Sequence, residues 1–335
     1  MGQTKNSELK RMQPDKQIAF VTDLNKCIGC QTCTVACKKM WTSGDGQDFE
    51  YWMNVETHPG KGYPKDWQKK GGGFKDGKLQ IGLLPTLEDY GIPFQFDYTG
   101  RLFEGKPGPV TPSPEAKWGP NWDEDTGAGM YPNTYYFYLP RMCNHCTDPA
   151  CLTACPSVAI YKRKEDGIVV VNQDLCSGQL ECVKACPYGA IFFNPTTKVA
   201  EKCIGCFPML EKGKAPICVG SCVGRARFVG YLDDMNSAVG KLIHKWKVAL
   251  PLHSEFGTQP NEYFIPPVSP YKESKEGEIT SERRIPDSLL KEMFGPRAIE
   301  VLDIIEMERE KRRKGQRSEL MDLLIAHTNR EMISI

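Results

Sequence analysis

The 15 cysteines of this sequence fall into four short runs, and none lies outside them. The runs consist of Cys27, Cys30, Cys33 and Cys37; Cys143, Cys146, Cys151 and Cys155; Cys176, Cys182 and Cys186; and Cys203, Cys206, Cys218 and Cys222. Bacterial ferredoxins hold [4Fe–4S] clusters with three cysteines spaced by two residues and a fourth that is followed by proline. The second and third runs have this outline and both end in Cys-Pro. The cysteine pattern therefore predicts several iron–sulfur clusters in one chain.

Two other uses of cysteine fit the pattern less well. The odd number of cysteines and their clustering, without an export signal at the start of the sequence, argue against a disulfide scaffold. A structural zinc site usually takes two cysteine pairs separated by a longer loop, whereas Cys27, Cys30 and Cys33 place three thiols within seven residues. A zinc protein remains an alternative, and it would lack the visible absorption of thiolate-to-iron bands.

The runs are expected to share their cysteines in pairs. In two-cluster ferredoxins the first three cysteines of a run bind one cluster and the fourth binds the other. The second and third runs are adjacent in sequence and should form one pair, so that the first and fourth runs form the other. This sharing predicts three [4Fe–4S] clusters, held by Cys27, Cys30, Cys33 and Cys222; by Cys37, Cys203, Cys206 and Cys218; and by Cys143, Cys146, Cys151 and Cys186.

The third run lacks one ligand, because Gln179 stands where its second cysteine should be. The cysteines that remain for the fourth site are Cys155, Cys176 and Cys182. An amide oxygen is a poor substitute for a thiolate on iron, so this site is predicted to hold a [3Fe–4S] cluster. The alternative is a four-iron cluster whose open corner takes water or a nearby carboxylate such as Asp174 or Glu181.

Short strands, turns and helices should position these runs. Gly29 is expected to let the first loop turn tightly, so that backbone N–H groups point at cluster sulfurs. A helix is expected from Cys33 to Trp41, which would direct Cys37 towards a different cluster. His145 could donate a hydrogen bond to a cluster or lie on the electron exit path, but packing within its loop is the favoured interpretation.

Alternating and β-branched residues predict strands around the runs. Strands are expected over 17–22, 135–139 and 226–231, and hairpins over 159–171 and 190–201, the first with a two-residue turn at Asp166-Gly167. The predicted fold class is therefore α+β, with two ferredoxin-like two-cluster modules. The expected units are residues 1–37, with the first strand and run; 38–140, a cysteine-free insertion; 141–202, the inner module; 203–231, the fourth run; and 232–335, a C-terminal arm with helices.

The two cysteine-free regions are predicted to contact other subunits. The insertion is rich in Gly, Pro and Trp, and aromatic residues are enriched at interface cores. Its tryptophans are Trp41, Trp52, Trp67, Trp118 and Trp122. Packing explains each of them singly, whereas the insertion as a whole suggests docking. In the C-terminal region, helices are expected over 237–250 and 286–331, with little core of their own, which suggests that they wrap around another chain.

Composition excludes several function classes. Lys and Arg number 43 against 42 Asp and Glu, so no nucleic-acid partner is suggested. The mean hydropathy is −0.45, and no apolar run approaches the length of a membrane span. No dinucleotide-binding fingerprint, P-loop, nucleophile elbow or paired-histidine metal motif is present. The chain is therefore predicted to be a non-catalytic electron-transfer subunit. A self-contained iron–sulfur enzyme, using the open corner at Gln179, is the alternative.

The four runs, the residues from Cys27 to Cys37 and the non-cysteine residue at Gln179 resemble the β subunits of the molybdenum-containing dimethyl sulfoxide reductase family, in its nitrate reductase-like branch. The resemblance extends to residues 121–129 and 250–253. In that family one three-iron cluster accompanies three four-iron clusters. Its nitrate reductase member usually has Trp at the position of Gln179, so this chain departs from that pattern.

The resemblance implies partners that this chain does not contain. It implies a catalytic α subunit with a molybdenum bis-pterin cofactor, and a haem b γ subunit or c-type cytochrome at the other end. The complex would be an anaerobic respiratory perchlorate, chlorate or selenate reductase; alternatives are a dimethyl sulfide or ethylbenzene dehydrogenase, or a nitrate reductase. The β subunits of the soluble members are exported with an α subunit that carries a twin-arginine signal. We therefore expect a periplasmic location, with the cytoplasmic face of the membrane as the alternative.

Overall fold

A computed structural model describes residues 14–91, 103–105 and 126–335 of the chain. Its strands are β1 (Ile18–Asp23), β2 (Asn54–His58), β3 (Phe74–Lys75), β4 (Lys78–Leu79), β5 (Phe137–Arg141), β6 (Ile160–Lys162), β7 (Val169–Val171), β8 (Ile191–Phe193), β9 (Ala200–Lys202), β10 (Arg227–Tyr231), β11 (Leu250–Pro251), β12 (Glu262–Ile265), β13 (Tyr271–Glu273), β14 (Ile279–Arg283) and β15 (Ile333–Ser334). Its helices are α1 (Thr32–Trp41), α2 (Leu87–Tyr90), α3 (Ala150–Ala154), α4 (Glu181–Ala185), α5 (Phe207–Leu210), α6 (Ile217–Gly220), α7 (Ala238–Gly240), α8 (Asp287–Phe294), α9 (Ala298–Arg313) and α10 (Glu319–Ile325). The mixed α+β class predicted from the sequence is confirmed.

A five-stranded sheet brings the first and fourth cysteine runs together. Its order is β11-β12-β1-β10-β15. All six residues of β1 are buried, as expected for an apolar, β-branched central strand. β1 and β10 pair antiparallel, with Thr22 opposite Arg227. Because β1 leads into the first run and β10 follows the fourth, this register places both runs at the same end of the sheet.

The two predicted hairpins are present beside the inner runs. β6 pairs with β7, and β8 pairs with β9. The first turn is not the two-residue turn expected from the sequence, because Arg163 donates its backbone N–H to the Ile168 carbonyl at 2.8 Å and leaves four residues in the loop. The Asp166 carboxylate accepts from the Ile168 N–H at 3.0 Å and from the Arg163 side chain, and these bonds favour the longer turn.

The C-terminal helices were expected to have little hydrophobic core of their own, and the structure shows otherwise. Leu290, Val301, Leu302 and Leu320 are buried and pack in the same core as Phe264 of the central sheet. These helices are therefore part of this chain's own largest hydrophobic core, and their apolar spacing does not require a second chain to cover it.

The helix expected over 237–250 is shorter than predicted. The α-helical turn α7 passes into a π-helical segment over Lys241–Lys245. There the backbone N–H of Trp246 donates to the Lys241 carbonyl at 2.8 Å. The chain then folds back so that Val248 bonds the Leu242 carbonyl, and Leu250 joins the sheet in β11. Pairing with the sheet overrides the helical periodicity here.

The described part of the insertion packs on the inner module. β2 pairs antiparallel with β5, which leads into the second run. Trp52 and Trp67 are buried, and the Arg141 guanidinium lies 3.9 Å above the Trp67 ring, which supports the packing interpretation for these two residues. Trp118 and Trp122 lie outside the described residues, as does most of the stretch over 121–129. Within the described ranges, none of the helices is long and apolar enough to cross a membrane.

Candidate iron–sulfur centres

Four helices carry cysteines spaced four positions apart and packed in two pairs. Cys33 and Cys37 lie on α1; Cys151 lies on α3 with Cys155 at its C-terminus; Cys182 lies on α4 with Cys186 at its C-terminus; and Cys218 lies on α6 with Cys222 two residues beyond it. Helix α1 packs on α6, and α3 packs on α4. Two residues four positions apart on a helix are separated by about 6 Å along its axis. The two thiols of each helix can therefore belong to two different cysteine groups.

Two internal cavities are each lined by four of these cysteines. One, the Cys143 cavity, is lined by Cys143, Cys146, Cys151 and Cys186. The other, the Cys203 cavity, is lined by Cys37, Cys203, Cys206 and Cys218. The membership of each cavity is that of a quartet expected from cysteine sharing. The structure thus brings these two sets together.

The remaining quartet lies where β1 and β10 meet. Burial raises the pKa of Cys27, and Cys222 and Cys30 are among the thiols that act on it. Burial raises the pKa of Cys33 to about 12, with further contributions from Cys27 and Cys222. Cys30 is the exposed member, and the Thr32 hydroxyl and N–H lower its pKa by donating to its sulfur. The thiols are close enough to interact, and one of them faces solvent.

The three cysteines of the incomplete site also lie together. Burial raises the pKa of Cys182 to about 12, and the neighbouring Cys155 and Cys176 thiols make a smaller contribution in the same direction. Gln179 is exposed in the loop before α4. Of the carboxylates considered for the open corner, Asp174 is exposed and Glu181 forms an ion pair with Lys184 at 2.5 Å. The Glu181 ion pair competes with any role as a metal ligand.

The four groups follow one another through neighbouring thiols. Cys33 of the surface quartet interacts electrostatically with Cys218 of the Cys203 cavity. Cys203 interacts electrostatically with Cys143 of the Cys143 cavity. The α3–α4 pair then connects this second cavity to the incomplete site, because each helix carries a cysteine of both. The groups therefore form a linear order: surface quartet, two internal quartets, trio.

Backbone N–H groups point at several sulfurs, as the sequence predicted for the first loop. Gly29 has φ +66° and donates to Cys27. The corresponding residues of the other three loops also have positive φ; they are His145, Gly178 and Gly205. Further donors to sulfur are Gly205 N to Cys203 at 3.4 Å, Ala226 N to Cys222 at 3.3 Å, Ala200 N to Cys176 at 3.4 Å and Trp41 Nε1 to Cys206 at 3.3 Å. Such donors stabilise thiolate sulfur.

His145 is fixed by packing, the interpretation that the sequence favoured. Its ring is 1 % exposed, and Nδ1 accepts from the Val169 N–H at 3.2 Å. The proton of the neutral ring is therefore on Nε2, and burial holds its pKa well below the ordinary value. The Asn261 side chain also donates to the His145 carbonyl at 3.0 Å, which secures the loop.

Two buried cations were missed by sequence reasoning. Lys202 and Arg227 are 2 % and 1 % exposed and lie among the cysteines. Arg227 forms an ion pair with Glu262 at 2.9 Å. Lys202 ends the strand before Cys203, and Arg227 begins the strand that follows Cys222. These positions beside the runs were the available signal.

The donor set fits multi-iron clusters. All 15 cysteines lie in the described residues and all are free thiols, which excludes the disulfide alternative for this structure. Within those same residues, no three His, Cys, Asp or Glu side chains are grouped to hold a single metal ion. Two sets of four thiols instead line internal cavities. Burial raises the pKa of enclosed thiols such as Cys37, Cys151 and Cys203, so these need a bound cation to become thiolates.

Comparison with known proteins supports this interpretation. Residues 134–232 match the family model described as a 4Fe-4S dicluster domain. The chain is 60 % identical to the perchlorate reductase subunit beta of Dechloromonas aromatica over 321 residues, which is 96 % of each chain. It is 53 % identical to the selenate reductase subunit beta of Thauera selenatis, and 50 % identical to the dimethylsulfide dehydrogenase subunit beta of Rhodovulum sulfidophilum; each match covers 96 % of this chain and 99 % of the relative.

Proposed function

Because this chain belongs to the iron–sulfur β subunits of the dimethyl sulfoxide reductase family, in the nitrate reductase-like branch, we propose that it relays electrons between a catalytic subunit and an electron donor or acceptor. The clusters would supply reversible one-electron transfer. The protein's own part is to hold them, exclude water from the inner pair and present the outer pair to partners. The chain itself would carry no substrate site.

The proposed ligands follow the sharing rule. Cys27, Cys30, Cys33 and Cys222 would hold one [4Fe–4S] cluster; Cys37, Cys203, Cys206 and Cys218 a second; Cys143, Cys146, Cys151 and Cys186 a third; and Cys155, Cys176 and Cys182 a [3Fe–4S] cluster. The packing of α1 on α6 and of α3 on α4 supports two ferredoxin-like modules. The cysteine sets that line the two cavities support the inner allotments.

The observation that carries the proposal is the linear order of the four groups with both ends at the surface. Cys30 is exposed at one end, and Gln179 is exposed at the other. The cysteines of the two internal quartets are buried except Cys146 and Cys186, which are partly buried. An electron relay needs accessible ends and an insulated middle, whereas an iron–sulfur enzyme needs a substrate cavity at its open site.

The proposed partners are a molybdenum bis-pterin α subunit and, at the other end, a haem b subunit or c-type cytochrome. The 60 % identity to a perchlorate reductase β subunit supports an oxyanion reductase of the perchlorate, chlorate or selenate type. The 50 % identity to a dimethylsulfide dehydrogenase β subunit supports that complex as the second candidate. We also propose a periplasmic location, with export on an α subunit.

The relay can be tested by interrupting its middle. Cys203→Ser in the intact complex should abolish electron delivery from the natural donor to the large subunit. Turnover should persist with a small reductant that reaches the large subunit directly. The exposed Ser281→Ala serves as a matched control and should leave both reactions unchanged. Normal delivery in a Cys203→Ser complex that lacks the inner cluster would contradict the relay, and turnover by the isolated chain would favour an enzyme.

A further inference from the structure

Lys202 is a buried lysine at the boundary between the two internal quartets. It ends β9, and its side chain is among the largest that are fully buried. The ammonium donates to the carbonyls of Val169 and Cys203, the latter at 2.8 Å. Lys202 also lines the Cys143 cavity, while the next residue, Cys203, lines the Cys203 cavity. Lys202 therefore faces one proposed cluster site and is adjacent to a proposed ligand of the other.

Among the described residues, Lys202 forms no ion pair with Asp or Glu, and the thiols of Cys143, Cys151 and Cys203 favour its charged form. Arg227, a second buried cation among the cysteines, is neutralised by Glu262 at 2.9 Å. An isolated buried ammonium is costly unless opposite charge lies close by. Thiolates on either side of Lys202 would provide that charge.

We propose that Lys202 is a positioning residue for electron transfer, and that its ammonium raises the reduction potentials of the clusters held by Cys143, Cys146, Cys151 and Cys186 and by Cys37, Cys203, Cys206 and Cys218. The proposal rests on the proposed function, since it requires clusters at these cysteines. Reduction adds one electron and one negative charge to a cluster, with no bond made or broken in the protein. A fixed cation nearby stabilises the reduced form more than the oxidised form.

The location of Lys202 determines which clusters should change their reduction potential when its charge is removed. The cluster on the cavity that Lys202 lines should respond most, because Lys202 lies among the thiols that line that cavity, Cys143 and Cys151 included. The cluster of Cys203 should respond less, and the trio of Cys155, Cys176 and Cys182 least. Net charge is a recognised determinant of cluster potential, and Lys202 contributes one positive charge.

The test is a redox titration of the purified complex, followed by electron paramagnetic resonance. In Lys202→Gln, which loses the charge and keeps a donor, we expect the equilibrium constant for reduction of the Cys143-quartet cluster to fall about tenfold or more, which is 59 mV per tenfold for one electron. Lys202→Met should show at least the same fall. The three-iron signal should keep its midpoint and serves as an internal reference.

Two controls separate charge from shape. Lys164→Gln removes one charge from an exposed lysine and should leave every midpoint unchanged. Lys202→Arg retains the charge and should keep the wild-type midpoints. Unchanged midpoints in Lys202→Gln and Lys202→Met would overturn the proposal.

Loss of clusters in the variants is equally decisive. If Lys202→Gln and Lys202→Met lose the two inner clusters while Lys202→Arg retains them, the charge serves cluster assembly rather than the reduction potentials, and the proposal fails. If Lys202→Arg loses them equally, shape and not charge is required, and the proposal fails. Failure of the proposed function gives a different result, because the wild-type chain itself would then bind no iron.

Discussion

Arg227 and Glu262 form an ion pair at 2.9 Å across the central strand β1, and neither side chain exposes more than 1 % of its surface. Glu262 also accepts from the Met142 N–H at 3.2 Å. The guanidinium lies beside the thiols of Cys218 and Cys33. A positive group is thus held between two cysteine groups without adding net charge to the core.

Breaking this pair should destabilise the protein strongly. Arg227→Met leaves the Glu262 carboxylate buried and unpaired, so the free energy of unfolding should fall by about 3–5 kcal/mol. The double variant Arg227→Met with Glu262→Gln should recover most of this loss, since no charge remains buried. Denaturant unfolding of the purified chains measures both, and a double variant as unstable as the single one would show that the charge is not the cause.

The open corner at Gln179 can be closed by one substitution. Gln179→Cys should convert the three-iron cluster of Cys155, Cys176 and Cys182 to a four-iron cluster, because a fourth thiolate is then available. The oxidised protein should lose its three-iron resonance signal, and iron analysis should rise from about fifteen to about sixteen atoms per chain. Gln179→Ser, which adds no thiolate, is the matched control and should keep the signal. Persistence of the signal in Gln179→Cys would refute the three-iron assignment.

The sequence was informative wherever spacing alone decides geometry. The fourth cysteine of each run lies four positions beyond the third, and this spacing predicts how the runs share their cysteines; the ligand sets stay a prediction. Gly29 could be foreseen as the turn that directs an N–H at sulfur. Lys202 and Arg227 could not be predicted. Their burial depends on which strands pair and what packs over them, and residue type alone suggests exposed lysine and arginine.

The C-terminal half shows the same limit. The apolar positions of the helices over 286–331 were identified, but the surface that covers them was not. Leu290 and Leu302 pack in the core that contains Phe264 of β12. This contact depends on the parallel pairing of β12 with β1, far away in sequence. A periodic pattern predicts a buried face without indicating whether the same chain or a partner buries it.

Glycine in the fourth run is required for space as well as conformation. Gly205 has φ +59°, and a Cβ there would lie 2.7 Å from Ile168 Cδ1, which is fully buried. Gly205→Ala should therefore cost about 2–5 kcal/mol of unfolding free energy, from the left-handed conformation and overpacking together. Gly213 has φ +63°, and no atom lies within 4 Å of the position that a Cβ would take, so Gly213→Ala should cost only about 1–2 kcal/mol. Equal losses in unfolding experiments would mean that the Ile168 contact adds nothing.

A buried acid pair makes stability depend on pH. Burial, followed by the neighbouring Glu201 carboxylate, raises the pKa of Glu50 from 4.5 to about 8. The folded chain thus keeps the Glu50 proton after the unfolded chain has lost it, and this contribution to stability disappears as pH rises from about 4.5 to about 8.

Glu50→Gln stays neutral and still offers an oxygen to the Trp52 indole N–H, which donates to Glu50 at 3.0 Å. At pH 8.5 the variant should be more stable than the wild type by roughly 1–3 kcal/mol, with little difference at pH 5. Thermal unfolding at both pH values measures this difference, with the exposed Asp48→Asn as a control for surface charge. Equal stability of Glu50→Gln and the wild type at both pH values would show that the fold does not raise the pKa of Glu50.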